Sequence, residues 1–395
     1  MGNGFILEAT YVGRLGRHLL QQRDLAEPVD LVDPKSGRDY FTAGTALSKA
    51  VDAGLTTVPT DPYWENLFPN LATGGISATQ NIYSNYWFRG NETSSLELLD
   101  LPGAITGITS PCEPANGGPG CYRFWQPQFS SLYSWASIGT SSYNAWQLTL
   151  KHAIAHGLQV DASYTFSKSL DLGSDAERFA EINNTGFSAI VNSFNPKLNK
   201  GVSDFNVANN VTANWVYLLP VGRGRHFGSG LNKLADEFLG GWQWSGLCRW
   251  TSGLPFSVVQ SGWTTNWNIH SGMVQTGPVI THLTIQPGGA PNAFQDPNDL
   301  PLRLAYPGEA GQRNNFIGDG YFDIDAAVGK VWKTTGEQMI KFTWEVFNVT
   351  NSVRFDTNPA FLSNQYGTGS LGDYSATLSK PRKIDVYKRQ LHKLR

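Results

Sequence analysis

The stretch Tyr143–Ser169, YNAWQLTLKHAIAHGLQVDASYTFSKS, decides the fold. It reads as two β-strands joined by a tight turn at Ala155-His156-Gly157. On the first, Trp146, Leu148 and Leu150 alternate with Gln147, Thr149 and Lys151. On the second, Leu158, Val160, Ala162, Tyr164 and Phe166 alternate with Gln159, Asp161, Ser163, Thr165 and Ser167. Successive side chains of a strand point to opposite faces, so one face of this hairpin is apolar and the other polar. Each strand holds about ten residues, the length a tilted strand needs to cross a bilayer. A half-buried hairpin of a soluble sandwich carries the same pattern.

Composition narrows the choice. Of 395 residues, 16% are charged, against roughly 25% in ordinary globular chains. Aromatics reach 12%, with 13 Trp, and there are 42 Gly. Few charges with many aromatics and glycines suit a transmembrane β-barrel or a secreted carbohydrate-binding β protein. The net charge of -2 offers no field for nucleic acid. No apolar run approaches the roughly 18 residues of a membrane helix. The N-terminus, MGNGFILEATYVG, lacks the basic-then-apolar order of a signal peptide.

Three further alternating stretches stand out. Val211, Ala213, Trp215 and Tyr217 share one face of a strand over Val207–Leu219. Trp242, Trp244, Gly246, Cys248 and Trp250 share one face of the next. Phe322, Ile324, Ala326 and Val328 lead through a turn at Lys333–Glu337 into Ile340, Phe342, Trp344 and Val346. A strand over Phe5–Val12 precedes them all, with Arg14-Leu-Gly-Arg17 as its polar exit. Residues from about Gln21 to Ser130 read as a long irregular connection, rich in Pro, Gly and Asn. At one end of this array the connections after Lys151 and Trp332 are short and the one after Leu219 is moderate, while those at the other end run for tens of residues. Outer-membrane barrels show that asymmetry, with the short turns in the periplasm.

Cys112 and Cys121 enclose CEPANGGPGC, which reads as a disulfide-closed loop tip. No His/Cys cluster has ligand spacing, so no metal or cofactor is expected. Asp323 and Asp325 share a face, but nothing near them in sequence supplies an acid/base partner, and the chain reads as a non-enzyme. Trp87, Trp125, Trp263 and Trp267 lie in the long connections. They either stack on a sugar, peptide or siderophore ring or pack loop against loop.

The segment SSYNAWQLTLKHAIAHGLQVDASYTFSKSLD resembles the barrel pattern S-x-Y-x-A-L-Q-(x)4-[RK]-(x)4-G-L-(x)3-A-S-Y-T-[WF]-S-K-S-x-D. That pattern belongs to TonB-dependent outer-membrane receptors with an N-terminal carboxypeptidase-regulatory-like domain. YVGRLGRHL (Tyr11–Leu19), LGGWQWSGLCRWTSGLPFSV (Leu239–Val258) and WEVFNVTNSVRFDTNP (Trp344–Pro359) resemble further segments of the same family. The resemblance implies an all-β, antiparallel transmembrane barrel, here partial, in the outer membrane of a Gram-negative bacterium. It implies uptake of a scarce nutrient through a barrel of about 22 strands. Its implied partners are outer-membrane lipid, a plug domain and the TonB complex. Plug, TonB box and signal peptide have no counterpart in this sequence. Residues 1–386 therefore read as a C-terminal portion of the barrel. Residues 387–395 depart from the family's terminal strand and read as an atypical tail.

On this reading Trp146, Leu148, Leu150, Val160, Tyr164, Phe166, Trp215, Tyr217, Trp242, Trp244, Trp250, Phe342 and Trp344 form a lipid-facing aromatic belt. The competing reading is a secreted or surface β-sandwich adhesin or carbohydrate-binding module. The two differ in the fate of the apolar faces: a barrel exposes them as a belt, and a sandwich buries them between sheets.

Overall fold

The computed structural model describes residues 4–155, 157–174, 189–285, 289–333 and 338–391. The turn centre His156, the polar-loop residues Asn183 and Asn184, the Thr334–Glu337 turn and residues 392–395 lie outside them.

Eight long strands form one sheet: β1 (Phe5–Asp24), β2 (Tyr133–Ala155), β3 (Leu158–Asp171), β4 (Asn209–Leu218), β5 (Gln243–Thr251), β6 (Tyr321–Lys333), β7 (Met339–Phe347) and β8 (Lys383–Leu391). Each pairs antiparallel with the next in chain order, so the sheet is a plain meander. Two-residue strands at Ala189–Ile190 and Gly201–Val202 add to β1 and β3. Among the described residues β1 and β8 do not pair with each other, and no closed barrel forms. The expectation of an antiparallel sheet is met by the eight long strands; Ala189–Ile190 pairs parallel with β1, the chain is mostly rather than wholly β, and the last strand runs past Val386 to Leu391.

The β2–β3, β4–β5 and β6–β7 connections lie at one end of the sheet. The β1–β2, β3–β4, β5–β6 and β7–β8 connections lie at the other, and these are the long ones. β1 does not stop at Val12. It continues to Asp24 alongside β2, with irregularities between Gly16 and Gln21 where His18 takes φ 55°. At about 3.3 Å per residue, strands of 20 and 23 residues outrun a hydrocarbon core of roughly 30 Å. The β1–β2 hairpin therefore stands beyond the other strands as a stalk.

The segment expected to be irregular is helical. α1 (Tyr40–Asp52), α2 (Pro62–Leu67), α3 (Ala78–Asn85), α4 (Glu92–Asp100) and α5 (Gly103–Thr106) follow the stalk. Each of the first three begins at a side-chain cap. Asp39 accepts from the Thr42 N–H, Asp61 from that of Tyr63 ahead of Pro62, and Ser77 from that of Gln80. These helices are too short to stand alone. They hold because Tyr40, Leu47, Tyr63, Trp64, Phe68 and Leu96 are buried together between them. Cys112 and Cys121 are bonded to each other behind this cap, their Cα atoms 4.8 Å apart.

Gly246 of β5 pairs with Trp215 of β4, whose indole lies across it. A Cβ there would run into that ring. Gly246→Val is expected to cost about 1–3 kcal/mol through overpacking. The expected result is a lower thermal midpoint of the strand signal in circular dichroism.

Candidate functional site

Cross-strand partners in an antiparallel sheet share a face. Trp146 pairs with Tyr11 and Phe166, Leu148 with Ala9 and Tyr164, and Leu150 with Leu7 and Ala162. Val160 faces Trp215, and Tyr217 faces Trp244. Trp250 joins Val211 to Phe322. Trp344 joins Val328 to Val386, and Phe342 pairs with Lys330. The expected belt residues thus lie on one continuous face, and none of them is buried. Trp146 is 58% exposed, Phe166 52% and Trp344 47%. Among the described residues no second sheet covers this face. A sandwich would bury it between two sheets, so the uncovered face contradicts the sandwich alternative.

Aromatic rings mark both margins of the face. Tyr11, Trp146, Phe166, Trp250 and Phe322 stand toward the long connections. Tyr217, Trp244, Trp242 and Trp332 stand toward the short ones. Trp244 and Trp250 lie about 20 Å apart along β5, comparable with an apolar band about 25 Å tall. Ala162, Ala213, Cys248, Ile324 and Ala326 fill the space between.

The opposite face is polar. The Ser163 and Thr212 hydroxyls hydrogen-bond at 2.7 Å, and Lys151 meets Glu8 at 3.3 Å. Arg249 lies 3.6 Å from Asp323 and 3.3 Å from Asp325. The two aspartates thus share one guanidinium, which leaves this part of the polar face with an excess of negative charge.

The long connections close over one end of the sheet. Arg89 docks the helical cap onto the β5–β6 connection. It grips Asp52 with two bonds of 2.7 and 3.0 Å, reaches Glu92 at 3.0 Å, and donates to the Leu304 and Ala305 carbonyls. Tyr306 lies under Arg89, Arg303 and Lys49, and its hydroxyl donates to Asp52. Elsewhere Arg313 is buried and binds Asp171 and Asp204, tying the same connection to β3.

The four loop tryptophans fare differently. Trp87 is buried in the helical core against Trp64. Trp125 is 4% exposed and meets Trp267 edge-on at 5.7 Å. Trp267 and Trp263 are half-buried, their rings 4.5 Å apart. Trp125 and Trp267 line a cleft of about 240 Å³ with Leu101, Ile105, Phe129 and Glu97. The buried indole N–H of Trp125 has no partner among the described residues. Burial also raises the Glu97 carboxyl. The sequence reading named both tryptophans but missed Glu97 and Ile105, since neither carries a motif. A typical small-molecule pocket measures about 300–1,000 Å³. This cleft therefore suits one ring or side chain of a larger ligand.

Residues 1–385 match the family model of the outer membrane beta barrel domain. The chain belongs to that family. Its place is the outer membrane. No curated protein matches the chain. Among solved structures, the outer membrane transporter YddB from Escherichia coli is similar over 99% of this chain and 31% of its own, at 8% identity and a TM-score of 0.35. The chain thus spans under a third of that transporter's length.

In this outer membrane beta barrel domain one buried acid sits just past the stalk. Glu27 accepts from the Ser193 N–H at 2.6 Å. Burial pushes its carboxyl up to about 8; hydrogen bonds from Ser193 oppose that rise and the Asp24 carboxylate adds to it. A folded-state value raised above the usual 4.5 means that stability is full below pH 4.5. It falls by up to about 1.4 kcal/mol per pH unit until the folded group also ionises. Hydrogen exchange in α1–α4, after division by the intrinsic amide exchange rate at each pH, is accordingly expected to speed up between about pH 5 and 8. Glu27→Gln should flatten that rise. Arg89→Ala leaves Glu92 buried without its cation, at a cost of about 3–5 kcal/mol. It should expose the 25–131 segment to limited proteolysis while leaving the strand signal intact.

Proposed function

We propose that this chain is a sector of a TonB-dependent outer-membrane receptor that imports a scarce nutrient, as the sequence resemblance implies. The observation that carries the proposal is the two-faced meander: an uncovered apolar face, a polar face with charges of both signs, and long connections gathered at one end. In this reading the apolar face meets lipid, and the short connections point to the periplasm. The helical cap and the aromatic cleft point outward.

Among the described residues, no further strand pairs with the outer edge of β8 or with that of β1 over Phe5–Leu20, which supports the sector reading. An N–H or C=O left without a partner in hydrocarbon costs several kcal/mol, so spanning strands close into a barrel. Eight strands can close a small barrel, yet here β1 and β8 stay apart. We propose that further strands complete the wall, and that a plug fills the lumen beside Glu8, Asp161, Asp325, Lys341 and Glu345.

The cap is the ligand-binding part in this account. Trp125 and Trp267 would pack against a ring of a siderophore, oligosaccharide or peptide. No catalytic step is assigned. The polar face offers paired charges and hydroxyls, which suit passage of a hydrated solute.

The test is uptake of a labelled ferric siderophore, an oligosaccharide and a dipeptide by cells expressing the whole reading frame, with and without TonB. One class should be taken up only with TonB, and Trp267→Ala should reduce that uptake. Equal uptake of all three in both strains would contradict the proposal.

A further inference from the structure

The β4–β5 connection lies at the short-connection end and carries a helix that the sequence reading did not find, α6 (Lys233–Leu239). Asn232 caps its start by accepting from the Ala235 N–H. The position of its other end is what matters. Trp332 donates its indole N–H to the Glu237 carbonyl at 2.8 Å, and Trp242 donates to that of Phe238 at 2.8 Å. Lys330 donates to the Glu237 carbonyl at 2.6 Å while lying over both indoles. A helix ends with carbonyls that lack internal partners and with partial negative charge. Here two indoles and an ammonium satisfy them.

Those three residues belong to the apolar face. Lys330 pairs with Phe342, Trp332 pairs with Ile340, and Trp242 continues the run of Trp244 and Trp250. α6 is therefore fastened to the outer side of the sheet, at the margin of the aromatic belt. Leu234 and Phe238 are one helical turn apart and share a face. They are 76% and 72% exposed, and Leu239 and Phe227 are exposed beside them. Arg223, Arg225 and Lys233 are exposed on the same connection and form no ion pair among the described residues.

We propose that α6 is an interfacial anchor, lying in the phospholipid leaflet at the short-connection end of the wall. Leu234, Phe238 and Leu239 enter the acyl boundary, and Arg223, Arg225 and Lys233 hold lipid phosphates. An apolar helix face flanked by basic groups is the pattern of a helix lying in a membrane interface. The apolar surface is continuous with the belt through Trp242 and Trp332, which commits it to the occupant of the belt, lipid. The inference rests on the membrane-wall reading above.

The test places a single environment-sensitive nitrobenzoxadiazole label on the full chain with Cys248→Ser. The labelled sites are Phe238→Cys, Leu148→Cys on the belt, and Gly230→Cys in open space on the same connection. The protein of the whole reading frame, with the strands that complete the wall, is reconstituted in phosphatidylethanolamine–phosphatidylglycerol vesicles, with and without brominated acyl chains. Circular dichroism confirms that each variant retains its strands. The Phe238 label should emit blue-shifted and lose intensity with brominated lipid, as the Leu148 label does, while the Gly230 label responds only to aqueous iodide. A Phe238 label quenched by iodide and untouched by brominated lipid, beside a lipid-quenched Leu148 label, overturns the anchor alone. Protection from both quenchers would mean a protein partner and also overturns it. If the Leu148 label does not feel brominated lipid, the wall reading falls and the anchor falls with it.

Discussion

A β-strand in hydrocarbon has no place for its N–H and C=O groups except on a neighbouring strand. Its side chains must also meet lipid on one face while the other stays wet. Both demands act on the part of the sheet read as the membrane wall. Together they explain why Trp146, Leu148 and Leu150 stay in phase with Phe166, Tyr164 and Ala162, and why that phase is kept across to Trp344 and Val386. A slip of one residue in any ladder would turn a whole strand inside out.

Beyond the bilayer the demands change, and so does the construction. β1 and β2 continue as a stalk whose apolar alternation fades. The chain then folds a helical cap that buries its own aromatics. The cap is held down by charge where the sheet is held by register. Arg89, Tyr306 and Arg313 each bind groups distant in sequence, and each locks the β5–β6 connection to another part of the outer end. A cleft between Trp125 and Trp267 can keep its shape only if that docking holds, because its two walls come from different connections.

The sheet was legible because its two faces differ, one apolar and one polar, and a strand with two unlike faces alternates with period two, so short alternating runs suffice to reveal it. The stalk was not. Arg14, Arg17 and His18 interrupt the apolar pattern, yet outside the bilayer a ladder needs only its backbone partners, so β1 runs on. The cap was hidden for another reason. Its helices are short and carry Tyr, Trp, Asn and Ser in place of strong helix formers. Their signals were the caps: Asp39, Asp61 before Pro62, and Ser77, with Gly54 at φ 66° just past α1. The tryptophans of the cleft were legible as aromatic loop residues, but which of them reach a surface was not. Trp87 serves the helical core and Trp267 lines the cleft, and only the packing of five separate helices distinguishes them.

The most direct measurement is a spin-label scan along β3, one site at a time from Gln159 to Ser167, in lipid vesicles. The label's access to oxygen and to a water-soluble nickel chelate is read at each site. The account predicts a period of two, with Val160, Ala162, Tyr164 and Phe166 open to oxygen and Gln159, Asp161, Ser163 and Thr165 open to nickel. Uniform nickel access, or no alternation, would contradict a membrane wall.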